Sequence, residues 1–309
     1  MNANKTTSIN SDDLQNKFIT RMLKDFSLET TPNGAKKIDS FSEFVRPETT
    51  VFITFLPGTT YDETVSIAKK LRLEGLIPAP HFAARSITSK EMLEDYVKKV
   101  TSEAGVKKIL TIAGAGGKQL GPFPDTISLF ETGIFDKYGI TEIGVAGHPE
   151  GSSDIPDKEI EKALKLKNQI NERTNAELFI ISQFCFDSRI ILNWAKQINS
   201  EGNKLPIIVG IPGIAKLSTL LKYSISCGIG NSVNFLKKQS SQMMNLIKTQ
   251  TPDRLVRDLA MSSPDGRETG IKGLHIYPLG GLKKSSEWAY RALDGKFQLN
   301  QEGFDVYQE

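Results

Sequence analysis

The chain has 309 residues, 39% of them hydrophobic, and a formal net charge of +3, with a mean hydropathy of -0.27. That length suits one large α/β barrel or two ordinary domains, with apolar material for a sizeable core. The charge is weak, and basic residues interleave with acidic ones, as in Lys158-Glu159-Ile160-Glu161-Lys162. This pattern argues against a nucleic-acid footprint, and no run approaches the roughly 18–20 apolar residues of a membrane span.

From the N-terminus, Met1 to Gln15 is polar and lacks an apolar signal core, so it reads as a disordered lead-in and the cytoplasm is the expected compartment. Residues 1–20 are taken as an N-terminal extension. Strands are expected at Asp25–Glu29, Thr50–Phe55, Leu76–Phe82, Lys108–Ala113, Glu142–Ala146, Glu177–Gln183, Pro206–Ile211 and Gly273–Tyr277. Several are continuous apolar runs, as in strands covered on both faces. Helical patterns lie between them at Asp62–Leu73, Ser89–Ala104, Asp157–Arg173, Asp187–Ser200 and Lys216–Cys227.

The stretch from Gly228 to Gly270 interrupts the last unit. Its Thr251-Pro252-Asp253 reads as a helix start, so extra helices are expected before the eighth strand. Eight strand–helix units predict a closed (β/α)8 barrel over residues 21–297, with a tail at 298–309. An open Rossmann-like sheet is the alternative. It is disfavoured because Gly114-Ala115-Gly116-Gly117 lacks the spacing G-x-G-x-x-G.

In such a barrel the C-terminal ends of all strands converge on one face, where active sites form. Glu29 ends the first strand. Burial there should raise its pKa toward the range of a general acid, the plainer reading being a cap or a surface ion pair. His81 ends the third strand and can hydrogen-bond a ligand, or be satisfied by backbone. His148 and His275 show no ligand spacing with it, so no metal is expected.

Gly114-Ala115-Gly116-Gly117-Lys118 follows the fourth strand and could hold an anion on its backbone N–H groups, or be a plain turn. Gly147-His148-Pro149-Glu150-Gly151 places two titratable residues in one turn, though its glycines alone would explain it. Gln183 ends the sixth strand, where an amide can pair with both edges of a heterocycle. Phe184 and Phe186 are expected to pack in the core. Tyr223, on the seventh helix, either packs or meets a planar ligand. The two cysteines, Cys185 and Cys227, give no disulfide framework and no paired zinc spacing.

Taken in order, these segments resemble the methylenetetrahydrofolate reductase family from about Asp25 to Ala292. The residues that carry the likeness are Leu28-Glu29-Thr30-Thr31-Pro32, Thr54, Pro80-His81 and Gly144-Val145-Ala146-Gly147-His148-Pro149-Glu150-Gly151. Ser182-Gln183-Phe184-Cys185-Phe186-Asp187 and Gly273-Leu274-His275-Ile276-Tyr277 complete the series. The resemblance implies a TIM barrel that reduces 5,10-methylenetetrahydrofolate to 5-methyltetrahydrofolate with NADH or NADPH, a step of methionine biosynthesis. It implies Glu29 as the general acid that opens the imidazolidine ring. Gln183 would bind the pterin, and Tyr223 would be the stacking aromatic.

Family members usually carry FAD, and the matching cofactor positions are Thr54, His81, Ala113, Gly114, Ala115, His148 and Glu150. Here the chain departs from the pattern. The usual Arg-Gly-Asp after the fourth strand is Ala113-Gly114-Ala115. The turn Tyr-Pro-Glu-Gly-His-Pro is His148-Pro149-Glu150-Gly151-Ser152-Ser153. The helix positions for Asp, Asn and Lys hold Lys165, Asn168 and Glu172. Losing several buried polar contacts should weaken FAD binding substantially, so direct hydride transfer from NAD(P)H is the sharper expectation.

Two other classes remain open: a tetrahydrofolate-dependent methyltransferase and a folate-binding barrel without catalysis. Because the chain ends soon after the eighth helix, a C-terminal regulatory module is not expected. The oligomeric state is left open between monomer and homo-oligomer.

Overall fold

Eight parallel strands close into a single barrel in the computed structural model, whose described residues are 11–56, 58–114, 118–239, 246–264 and 266–307. The strands are β1 (Ser27–Thr30), β2 (Thr50–Ile53), β3 (Ile77–Ala83), β4 (Lys108–Ile112), β5 (Glu142–Gly147), β6 (Glu177–Ser182), β7 (Ile207–Pro212) and β8 (Ile271–Tyr277). Each pairs with its sequence neighbours, and β1 closes on β8 with Ser27 opposite His275. The fold is therefore the (β/α)8 barrel that the alternation predicts, and the open sheet is excluded. Strand ends differ from the expected ones by at most two residues.

Two prolines inside β3 fit because of parity. The Ile77 N–H donates to Thr49 O on the β2 side. Odd residues of β3 therefore bond toward β2, while Pro78 and Pro80 turn their missing N–H toward β4. Pairing with β4 begins only beyond them, at His81 opposite Leu110.

The helices that frame the site are α2 (Tyr61–Leu73), α3 (Lys90–Ala104), α4 (Asp157–Asn171), α5 (Ser188–Ser200), α6 (Leu217–Ser226) and α9 (Leu282–Leu293). Helix α1 (Ser11–Leu23) precedes them. Their starts are chemically marked: Ser89 accepts from the Met92 N–H, and Asp187 from the Arg189 N–H. The expected insert is also present, as α7 (Gly230–Gln239) and α8 (Asp253–Ser262). A short antiparallel bridge, Ala215–Lys216 with Thr249–Gln250, brackets α6 and α7.

The N-terminus corrects the sequence reading. Residues from Ser11 onward are helical, not a disordered lead-in to Gln15, and α1 runs through the expected boundary at residue 20. The reason is its inward face: Ile19, Met22 and Leu23 are buried, and α1 packs on α8 and α9. The tail forms a hairpin of Phe297–Leu299 and Phe304–Val306. Phe304 is buried and stacks on Trp288 with centroids 6.1 Å apart. Among the described residues no helix is long and apolar enough to cross a membrane.

Most of the core lies between the strands and the helices. A separate plug of Phe52, Ala79, Leu110 and Ile181 fills the inside of the barrel. That plug is the floor on which the strand-end residues stand.

Candidate active site

Glu29 stands on this floor. In the β1–β2 register it lies opposite Phe52, while its neighbour Leu28 turns into the fully buried outer core. Two histidines converge on its carboxylate from β3 and β8. His81 Nε2 is 3.4 Å and His275 Nε2 3.5 Å from Glu29 Oε2. The Glu29 side chain is 14% exposed, those of His81 and His275 5% and 0%. Phe52 packs edge-on against both rings, at 6.1 Å from His81 and 5.2 Å from His275.

At the start of β1, Ser27 Oγ and His275 Nδ1 share a hydrogen bond of 2.9 Å. A continuous polar line thus runs from Ser27 through His275 to Glu29. Tyr277 walls it, edge-on to His275 at 4.6 Å, and donates its hydroxyl to Ser182 O at 3.1 Å.

The electrostatics correct the expectation for Glu29. Burial raises the carboxyl, but contacts with His275 and then His81 outweigh it, holding Glu29 well below the usual carboxylate range. Sequence reasoning counted the burial and not two imidazoles from strands far away in the chain.

The other expected residues gather around the same opening. Thr54, His81, Ala113, Gly114, His148, Glu150, Gln183 and Tyr223 line one cavity with Glu29, of about 1760 Å³. Thr54 Oγ1 and His81 Nδ1 are buried there without a hydrogen-bond partner among the described residues. They are polar atoms that a ligand can satisfy. The Gln183 side-chain oxygen accepts from the Phe184 N–H at 3.0 Å, which fixes the amide plane at the end of β6. Phe184 is buried, edge-on to Phe186 and Tyr277. Tyr223 is 42% exposed, an aromatic face presented at the mouth.

Gly114 has φ +97°, a conformation that favours glycine directly after β4. Ala115, Gly116 and Gly117 lie outside the described residues. Glu150 lines the mouth, but its carboxylate is occupied: it accepts from the Ser232 N–H at 2.9 Å and from the Ser232 hydroxyl, at the start of α7. Burial, with Lys167 nearby, pushes the His148 imidazole down to about 4.

Three participants escaped the sequence reading. His275 and Ser27 join the site through the β1–β8 closure, a contact 248 residues apart in sequence. Lys167 is 7% exposed and lines the cavity from α4. One signal for it was available: Ile160, Ala163, Leu164, Lys167 and Ile170 form an i, i+3, i+4 stripe in which lysine is out of place. Asn168, by contrast, spends its amide inside the protein, on Leu164 O, Asn203 and the Lys204 N–H. Glu172 pairs with Lys204.

Among solved structures, dihydropteroate synthase of Yersinia pestis with a pterine-sulfa conjugate is similar at 12% identity and a TM-score of 0.45, over 89% of this chain and 94% of that one. Methylenetetrahydrofolate reductase 2 of Saccharomyces cerevisiae is 34% identical over 128 residues, 41% of this chain and 20% of the relative. Methylenetetrahydrofolate reductase 1 of Schizosaccharomyces pombe is 24% identical over 262 residues, 80% of this chain and 41% of the relative. The chain thus spans less than half the length of either relative. The family model for methylenetetrahydrofolate reductase matches residues 26–287, which takes in all eight strands and every residue placed around Glu29. With that match over most of its length, the chain belongs to the methylenetetrahydrofolate reductase family.

Proposed function

We propose that this barrel reduces 5,10-methylenetetrahydrofolate to 5-methyltetrahydrofolate, with NADH or NADPH as direct hydride donor. The observation that carries the reading is Glu29 braced by two imidazoles in the same mouth that Gln183 and Tyr223 line. Gln183 offers its amide to the pterin edge, and Tyr223 a face for a planar ring.

In this reading Glu29 hands a proton to N10 of the folate. The C–N10 bond breaks, and a cationic iminium forms at N5. The nicotinamide supplies the hydride that converts the methylene carbon to methyl. A carboxylate held low in pKa suits the cation that forms, because its charge stabilises the iminium electrostatically. His81 Nε2 and His275 Nε2, the latter backed by Ser27, are the side-chain nitrogens in contact with that carboxylate. Proximity and orientation do the remaining work.

The fit to FAD is poorer. Of the helix positions that the family pattern gives to flavin, Asn168 and Glu172 are spent on contacts within the protein. In the sequence after β4, Ala113 replaces the pattern's arginine and Ala115 its aspartate, so neither charge is supplied there. Thr54 Oγ1 and His81 Nδ1 are open to either a nicotinamide or a flavin.

The test is to purify the protein, record its flavin absorbance, strip any flavin and assay NADH and NADPH oxidation with methylenetetrahydrofolate. Turnover without flavin is expected. A stoichiometric flavin that turnover requires would overturn the direct route, and the absence of folate-dependent oxidation of both NADH and NADPH would overturn the reductase reading.

A further inference from the structure

Lys167 has no role in the chemistry above, yet it occupies a costly place. It sits on the buried stripe of α4 at 7% exposure. Its ammonium has one partner within hydrogen-bond distance among the described residues, the Ala146 carbonyl at 3.4 Å. An ammonium taken out of water without a counter-charge is expensive, so an unpaired buried lysine calls for an anion. Burial lowers the Lys167 ammonium to about 8, against the opposing charge of Asp125. Asp125 itself caps a short helix by accepting from the Ser128 N–H.

The position of the amine is informative. Ala146 immediately precedes Gly147 and His148 at the end of β5. On one side the cavity opens to Glu29, His81 and Gln183. On the other it continues between α4 and α5, along Leu164, Trp194 and Ile198. Two other cations line it, and both are less suited. Arg85 is turned to the Pro124 carbonyl at 3.0 Å, and Lys165 is exposed. His148 is held neutral at physiological pH. The acidic rim, with Asp154, Asp157, Glu159 and Glu161, offers an anion nothing.

We propose that Lys167 receives the diphosphate of the nicotinamide dinucleotide, where the barrel mouth passes into the groove between α4 and α5. The adenylate half then follows the groove past Trp194, and the nicotinamide reaches back toward Glu29. Lysine serves here as a point charge for phosphate. This inference rests on the nicotinamide reading of the mouth.

Binding of four probes to the wild type, Lys167→Met and Lys167→Arg separates the two. The probes are NADH, ADP-ribose, reduced nicotinamide riboside (which has no phosphate) and inorganic pyrophosphate. Lys167→Met should weaken NADH and ADP-ribose by about tenfold to a hundredfold, the loss of one charge-assisted contact, and abolish competition by pyrophosphate. Its affinity for the riboside and for folate should not change, and Lys167→Arg should restore most of the loss. Its melting temperature should hold or rise, since an unpaired buried charge has been removed.

Equal weakening of riboside and dinucleotide would overturn the assignment. So would a loss confined to folate, which would give the amine to a folate carboxylate. If the wild type binds neither NADH nor the riboside, the nicotinamide reading fails. Lys167 is then judged by ADP-ribose and pyrophosphate alone: binding that Lys167→Met abolishes sustains a phosphate site, and no binding refutes it.

Discussion

At Glu29, two opposed effects meet on one carboxylate, and substitutions separate them. Burial raises its pKa while His275 and His81 lower it, with the lowering dominant. Replacing His275 with Ala leaves burial less opposed, so the Glu29 titration followed by carbon NMR should move upward. An unmoved midpoint would show that the imidazole does not hold the charge. The sign for stability follows. A carboxyl depressed in the fold stabilises it above the ordinary value of 4.5 and loses that contribution as the pH falls below it. Glu29→Gln should therefore lose less stability between neutral pH and acid than the wild type. The same variant should lower turnover by about 10²- to 10⁴-fold, the usual worth of a positioned proton donor, while NADH affinity is kept. Steady-state kinetics beside a binding titration would check this, and unchanged turnover would remove Glu29 as the donor.

The elements around the mouth owe their placement to a few tight contacts. Glu150 ties the β5 turn to the start of α7 through Ser232, a carboxylate at the positive end of a helix. Bonds to a charged group are each worth about 1.5–3 kcal/mol. Glu150→Ala should speed hydrogen exchange in α7 more than in α2 or α3. Uniform exchange across the barrel would argue against such a tie. At the end of β5 there is no room for a side chain. A Cβ on Gly147 would lie 2.5 Å from Ile180 Cγ2 and 2.9 Å from Trp194 Cη2. Gly147→Ala should cost about 1–3 kcal/mol by overpacking, measured by denaturant unfolding. No change in stability would mean that the Trp194 ring moves freely.

Across the whole molecule, the barrel was legible because most strands are written locally, as an apolar run followed by a helical stripe, although β1 and β4 are followed only by helices of four or five residues. The face of the site was legible for the same reason, since strand order alone brings Glu29, His81 and Gln183 to one mouth. The charge of Glu29 was not legible, because the His275 that sets it arrives only when β8 closes on β1. Lys167 was hidden in a helix that looked evenly charged, until burial showed which lysine points inward. Helix α1 was missed because its polar residues outnumber the three it buries on the barrel, Ile19, Met22 and Leu23.

The proposed transfer would bring all these parts together, so an isotope tests it most directly. The protein, freed of flavin, is given methylenetetrahydrofolate and NADH or NADPH deuterated at both C4 positions, and the product is read by mass spectrometry. Direct transfer in this mouth predicts one deuterium in the methyl group of 5-methyltetrahydrofolate, with Glu29→Gln giving almost no product. Product whose methyl group carries no deuterium, or both nucleotides left unconsumed, would contradict it.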